Sequence, residues 1–155
     1  MADVYVFDSN VFISLQRGQP RDIYPVVWNK IDELIEKGVV ISSKEVYEEL
    51  SLGDDALVEW ANSKKDMFLP SEVVIQEKVR EILLSHRGLV EGGKKMNSAD
   101  PFVIAIAMER NGIVVTEEKP SNNNDVPKIP DVCVAYGIKL IDFVGFMREM
   151  KISFI

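Results

Sequence analysis

The chain reads as an α/β domain in three layers, α/β/α, around a central, mainly parallel sheet of four or five strands. Three observations point there. Residues 4–7, 39–41, 113–115 and 138–141 are short continuous apolar runs, as expected of strands buried on both faces. Stretches with helical periodicity stand between these runs, so strands and helices alternate along the chain. Within the helix expected over residues 99–111, the segment from Phe102 to Met108 is apolar nearly all round, which marks a helix buried in the core.

The first strand, residues 4–7, ends at Asp8, and a helix starts at Asn10 with Val11, Phe12 and Leu15 on one side. Residues 18–25 are rich in breakers and form a loop. Residues 26–37 follow as a helix, striped by Val27, Ile31, Leu34 and Ile35 and closed by Gly38. After the second strand, residues 39–41, Ser42 or Ser43 caps a helix over 44–51 that turns Val46 and Leu50 inward. Leu57 and Trp60 mark a further helix starting near Asp54 and Asp55, and residues 71–85 another, through Val74, Ile75, Val79, Ile82 and Leu83. Residues 86–97 are polar, contain Gly88, Gly92 and Gly93, and read as a mobile loop. Ser98 is placed to cap the buried helix, which tolerates Pro101 in its first turn and ends at Gly112. The third strand, residues 113–115, runs into Thr116, Glu117 and Glu118, and the proline- and asparagine-rich residues 119–130 form a loop. A short helix over 131–136 closed by Gly137, a fourth strand over 138–141 and a last helix over 142–150 complete a single domain of 155 residues.

The composition, 46% apolar and 28% charged, is that of an ordinary globular protein. No apolar run approaches the roughly 20 residues of a membrane helix, and no basic segment precedes an apolar one at the N-terminus, so neither a membrane span nor a signal peptide is expected. The single cysteine, Cys133, has no internal disulfide partner, and a cytoplasmic location is expected. The net charge of −7 argues against a surface that grips nucleic acid all over. The acids either serve solubility or cluster around a divalent cation that reverses the local sign.

The positions of the acids bear on that choice. In open parallel α/β folds ligands bind beyond the carboxyl ends of the strands. Asp8 directly follows the first strand; Glu45, Glu48 and Glu49 lie on the helix after the second; Glu117 and Glu118 follow the third; Asp100 opens the buried helix. Each has an ordinary structural explanation taken singly: a cap, a first-turn acid, a solvated helix face or a loop acid. Taken together, at repeated strand ends, they fit a site for a hard cation, for which carboxylate oxygens are the natural ligands. Such a cation polarises a phosphodiester and activates water without any histidine or cysteine. The one histidine, His86, falls in the glycine-containing loop, and the chain shows no zinc spacing, no phosphate-cradling glycine loop and no nucleophile elbow.

The stretch Val6-Phe7-Asp8-Ser9-Asn10-Val11-Phe12-Ile13 resembles the opening motif of PIN domains. Ile41-Ser42-Ser43, with Val46 and Glu49-Leu50, is similar to the second motif of that family. Ala99-Asp100, Ile104 to Ala107, Gly112 and Val114-Val115-Thr116 resemble the third and fourth. The four occur in the family's order over nearly the whole chain, and the length suits VapC-type toxins and a related PIN-like group. The resemblance implies a ribonuclease using Mg²⁺ or Mn²⁺, with Asp8, Glu49 and Asp100 as metal-coordinating acids and Glu118 where the family usually has aspartate. Glu45 rivals Glu49 from one helical turn away, and Glu117 rivals Glu118. Asn10 and Thr116 are expected to support the acids, and Arg87, Lys94 and Lys95 are candidates for contact with the RNA backbone.

The resemblance also implies an antitoxin partner and a homodimer, for which Phe143, Phe146, Met147, Ile152 and Phe154 offer apolar surface unless they serve the core. Asp142 either reaches the cleft or caps the last helix. Two other readings compete with an RNA-cleaving toxin. A magnesium-dependent phosphohydrolase or phospho-acceptor domain shares the architecture, but phosphohydrolases pair the first aspartate with a second at the position held here by Asn10, and Lys139 lies inside the fourth strand rather than after it. A PIN fold kept as a non-catalytic binding module is the other, and the retained acids weigh against it.

Overall fold

The structure, a computed structural model, describes residues 3–91 and 99–153. The sheet has five strands, β1 (Tyr5–Phe7), β2 (Val40–Ser43), β3 (Phe68–Leu69), β4 (Ile113–Val115) and β5 (Leu140–Ile141), in the order β3-β2-β1-β4-β5. Every neighbouring pair is parallel, and β1 meets β4 with Val6 opposite Val114 and Phe7 opposite Val115. From β1 the chain moves outward through β2 to β3, then returns to β4 on the other side of β1. The gap between the carboxyl ends of β1 and β4 is therefore the topological switch point, where open parallel sheets bind ligands.

The helices are α1 (Ser9–Gly18), α2 (Pro25–Glu36), α3 (Lys44–Leu50), α4 (Asp55–Ser63), α5 (Val73–Ser85), α6 (Gly88–Glu91), α7 (Asp100–Arg110), α8 (Ile129–Tyr136) and α9 (Phe143–Glu149). Tyr5, Val6 and Phe7 are buried, as a strand covered on both faces requires. The Phe7 ring meets Phe12 of α1 at 5.3 Å and Phe146 of α9 at 4.9 Å, and Tyr5, two residues earlier on the same face, also meets Phe146 at 5.1 Å. Val6 points the other way, and on that side α7 packs on β1, β2 and β4 and is backed by α5. Val103 to Ala107 are buried, so α7 is a core helix as its sequence requires.

Side chains cap several helices where the sequence suggested. Ser43 accepts from the Val46 N–H at 3.1 Å, Asp54 from Ala56 and Leu57 at 2.9 and 3.2 Å, and Asp142 from Gly145 at 2.8 Å. Asp142 is thus the cap of α9. The last residues of α7 and α8 give way to Asn111 and Gly137 in the left-handed conformation.

Three expectations change. The strand β3 has two residues, too few to show a period. Helix α8 begins two residues early, at Ile129, with Pro130 in its first turn. Residues 88–91, expected in a loop, form α6 because Leu89 is fully buried and anchors them. Lys94, Lys95 and Ser98 lie outside the described residues; at the N-cap of α7, Ala99 provides no side-chain bond. The C-terminal phenylalanines Phe143 and Phe146 are buried in the core, and Met147 and Ile152, partly buried, pack against it. Phe154 lies outside the described residues.

Gly88 permits a close approach between α6 and the β4–α8 connection. A Cβ there would lie 2.0 Å from the Asp125 carbonyl oxygen and 2.8 Å from Cδ of Pro127. Gly88→Ala is expected to lower unfolding free energy by about 1–3 kcal/mol in urea titration, the usual cost of overpacking. Gly53→Ala, whose Cβ would meet only the Leu50 carbonyl oxygen at 3.6 Å, serves as the control and is expected to fall well short of that loss.

Candidate metal centre

Two strand ends and two helix starts converge at the switch point. Asp8 follows β1 and is 1% exposed. Its Oδ1 accepts from the Ser9 N–H at 2.8 Å, which makes it the N-cap of α1, and its Oδ2 accepts from the Thr116 hydroxyl at 2.9 Å. Thr116 follows β4, and its Oγ1 in turn accepts from the Glu118 N–H at 3.1 Å. Asn10 ties the same ends together: its Oδ1 accepts from the Glu117 N–H at 3.2 Å and its amide donates to Thr116 Oγ1 at 3.5 Å. Asn10 and Thr116 thus join the segments after β1 and β4 through these bonds.

Asp100 enters from α7, as its first helical residue, and is 4% exposed. Glu118 reaches in from the loop after β4, its Oε2 accepting from the Ile129 N–H at 3.1 Å. Carboxylate oxygens of Asp8, Asp100 and Glu118 lie within 4.8 Å of one another. Glu49, half-buried on α3, is oriented by the Ser9 hydroxyl, which donates to its Oε1 at 3.0 Å. Its charge acts on both Asp8 and Asp100.

Burial and mutual repulsion act in the same direction on these acids. Burial and then the charge of Glu118 push Asp8 up to about 7, against the hydrogen bonds from Thr116 and Ser9. Burial, then Asp8, Glu118 and Glu49, push Asp100 up to about 9. Burial, with the charge of Glu118, pushes Glu49 up to about 7. Beneath them, burial and then the charges of Asp8 and Glu118 raise the Cys133 thiol to about 12, so it stays protonated. A cation among the carboxylates would relieve this repulsion, and an all-oxygen donor set suits a hard divalent ion. The residues present fit such an ion: Asp8, Asp100 and Glu118 can hold it, and Glu49 stands beside them.

The two competing glutamates have other surroundings. Burial raises Glu45, but the charges next to it are Glu48 and Lys44 rather than the triad, and its side chain is bonded to Ser71. Glu117 turns away to accept from the Phe143 N–H at 3.1 Å, bracing the start of α9. His86 packs against the Tyr136 ring at 5.5 Å and is not a member of the acidic triad. Arg87 is exposed, beside Gly88.

Three residues of the neighbourhood escaped sequence reasoning. Ser9 orients Glu49, a role that a small hydroxyl residue beside Asp8 does not reveal on its own. Asp131 accepts from Ser121 N–H at 3.0 Å, Ser121 hydroxyl at 2.8 Å, Asn122 N–H at 3.2 Å and Lys128 N–H at 2.8 Å, and so closes the β4–α8 loop into a ring. Against burial, which raises it, these bonds hold the Asp131 carboxyl down at about 2. Lys128, exposed at the end of that loop, acts on Asp100. The loop's Ser-Asn-Asn-Asn composition signals a turn but not the partner that organises it.

The sequence model of the family described as "Domain of unknown function (DUF4411)" matches residues 5–154, and the chain belongs to that family. No curated protein matches. Among solved structures, FitAcB from Neisseria gonorrhoeae is similar over 89% of this chain and 96% of that one, at 18% identity and a TM-score of 0.54. VapBC2 from Rickettsia felis, bound to a DNA fragment from its promoter, is similar over 90% of this chain and 98% of that one, at 17% identity and a TM-score of 0.50. These likenesses bear on the fold, which is PIN-like, in agreement with the four motifs.

A pH dependence follows from the raised carboxyls. Asp8, Asp100 and Glu49 titrate above the ordinary 3.8 to 4.5, so the folded chain binds more protons than the unfolded one between about pH 4 and about pH 9. Without metal, the stabilisation is complete below that window and is lost as pH rises through it. Thermal melts are expected to show a falling Tm from about pH 5 to pH 9, a smaller fall in Asp100→Asn, and recovery on adding Mn²⁺. A Tm that holds level across this range, with no response to Mn²⁺, would contradict the picture.

Proposed function

We propose that this DUF4411 family member is a metal-dependent ribonuclease, hydrolysing RNA phosphodiester bonds, and the catalytic half of a toxin–antitoxin pair. The observation that carries the reading is the meeting of Asp8, Asp100 and Glu118 at the switch point, with their oxygens within 4.8 Å. Mg²⁺ or Mn²⁺ held there would supply Lewis-acid polarisation of the phosphodiester and a more acidic water. Asp8, Asp100 and Glu118 are the proposed ligands. Thr116 and the Ser9 N–H hold both oxygens of Asp8 in place, so that its geometry does not depend on the substrate. Glu49 has its Oε1 engaged by Ser9 and its Oε2 free of that bond; with a carboxyl near 7, it is suited to take a proton from the attacking water at Oε2.

RNA as substrate rests on the PIN resemblance, as does assembly into a homodimer. The antitoxin partner is supported by the two similar structures, each named for a complex. Among the described residues no helix is long and apolar enough to cross a membrane. The phosphohydrolase reading gains nothing from the structure, because the position of its second aspartate is held by Asn10, whose side chain is committed to Thr116 and the Glu117 backbone.

Cleavage of a mixed RNA pool in Mn²⁺ and in chelator tests the proposal. Asp8→Asn and Asp100→Asn are each expected to lower the rate by more than about 100-fold, since even residues that only support a ligand cost 10–100-fold. Thr116→Val is expected in that lower range. Glu45→Gln and Glu117→Gln should stay within about threefold of wild type, because neither reaches the triad. Full activity in Asp8→Asn, or cleavage that survives chelation, would sink the reading.

A further inference from the structure

A cluster of carboxylates repels the polyanion it is meant to cut, and the net charge of −7 makes the problem general to the chain. A cation of the protein near the cluster would help to hold the strand. Lys128 is in that position. The next residue, Ile129, gives its N–H to Glu118 Oε2 at 3.1 Å, so the backbone at Lys128 is tied directly to a carboxylate of the triad. Its own N–H goes to Asp131 Oδ2 at 2.8 Å, in the ring of bonds that closes the loop. The preceding residue, Pro127, is buried against the backbone of Gly88. Three consecutive residues are thus fixed by three separate contacts, while Lys128 itself stays exposed. The charge of Lys128 reaches Asp100, where it offsets part of the upward push from burial and the other acids.

We propose that Lys128 is a substrate-positioning residue, whose ammonium binds a phosphate of the single-stranded nucleic acid alongside the Asp8–Asp100–Glu118 cluster. The assignment rests on the nuclease reading above and adds the group that counters the cluster's repulsion. Its backbone is fixed and its side chain is exposed, so it can meet a phosphate as a point charge without a rearrangement of the loop. Because the backbone N–H groups, not the side chain, make the bonds to Asp131 and Glu118, replacing the side chain leaves the loop's hydrogen bonds in place.

The test uses a labelled single-stranded oligoribonucleotide, Mn²⁺, and three proteins: wild type, Lys128→Gln and Lys128→Arg. In Lys128→Gln, KM is expected to rise about tenfold, as befits one lost charge-assisted contact, with kcat within about threefold. Lys128→Arg should recover most of the loss. The slope of log affinity against log salt should shrink by about 0.7 in Lys128→Gln, one phosphate contact on a single strand. Calorimetry with Mn²⁺ alone should show binding that is no weaker in Lys128→Gln, because a repelling charge has been removed. If wild type cuts and Lys128→Gln matches it in KM and salt slope, the Lys128 assignment is overturned and the nuclease reading stands. Weaker Mn²⁺ binding in Lys128→Gln would show a structural role instead and also overturn it. If wild type neither binds nor cuts the oligonucleotide while binding Mn²⁺, the nuclease reading fails and Lys128 falls with it. If wild type binds without cutting, the tenfold loss is read from the binding constant.

Discussion

Carboxylates that are taken out of water and placed within reach of one another cannot all remain charged unless something positive joins them. Asp8 and Asp100 are almost fully buried, Glu118 lies within 4.8 Å of both, and Glu49 adds its charge from α3. A globular core has no use for such an arrangement: an apolar residue at either aspartate would avoid both the desolvation and the repulsion. The fold nonetheless brings them together from four distant segments. Their cost to the metal-free chain shows in the upward displacement of three of them, to about 7, 7 and 9. Protons are one remedy for that cost and a divalent cation the other.

The rest of the structure serves this juxtaposition. The sheet order places the carboxyl ends of β1 and β4 side by side, which no chain going steadily across the sheet would do. Burial of α7 carries Asp100 to the same point, since a helix apolar all round has to lie on the sheet. Asn10 and Thr116 join the two strand ends, and Asp131 shapes the loop from which Glu118 points inward. Polar groups that are half-satisfied weaken a core; here a chain of bonds runs from Ser9 through the Asp8 carboxylate and Thr116 to the Glu118 backbone, and holds both oxygens of Asp8.

Much of this is legible in the residues. Four of the five strands announce themselves as continuous apolar runs, and Asp8 stands out as a candidate by its place directly after the first. What the residues hide is direction. Glu45 and Glu49 share a helix face within one turn, and only the packing of α3 shows that Glu49 meets Ser9 and the acids. Glu117 and Glu118 are adjacent, so backbone geometry sends one to the Phe143 N–H and the other to the triad, a choice no periodicity encodes. Lys128 lies far along the chain from Asp8, and it is drawn toward the acids by the bonds of its own backbone to Asp131 and of the next residue's to Glu118. Residues 88–91 look like loop because glycine is a breaker, yet Gly88 is needed for the contact with Asp125 that a side chain would prevent.

Diffraction from crystals soaked in Mn²⁺, recorded where manganese scatters anomalously, addresses the acidic cluster most directly. An anomalous peak is expected among Asp8, Asp100 and Glu118, with carboxylate oxygens at about 2.1–2.2 Å, and it should vanish in Asp8→Asn. A cluster that takes up no manganese at concentrations where the protein is intact, or a peak confined to other acids, would contradict a metal centre at the switch point.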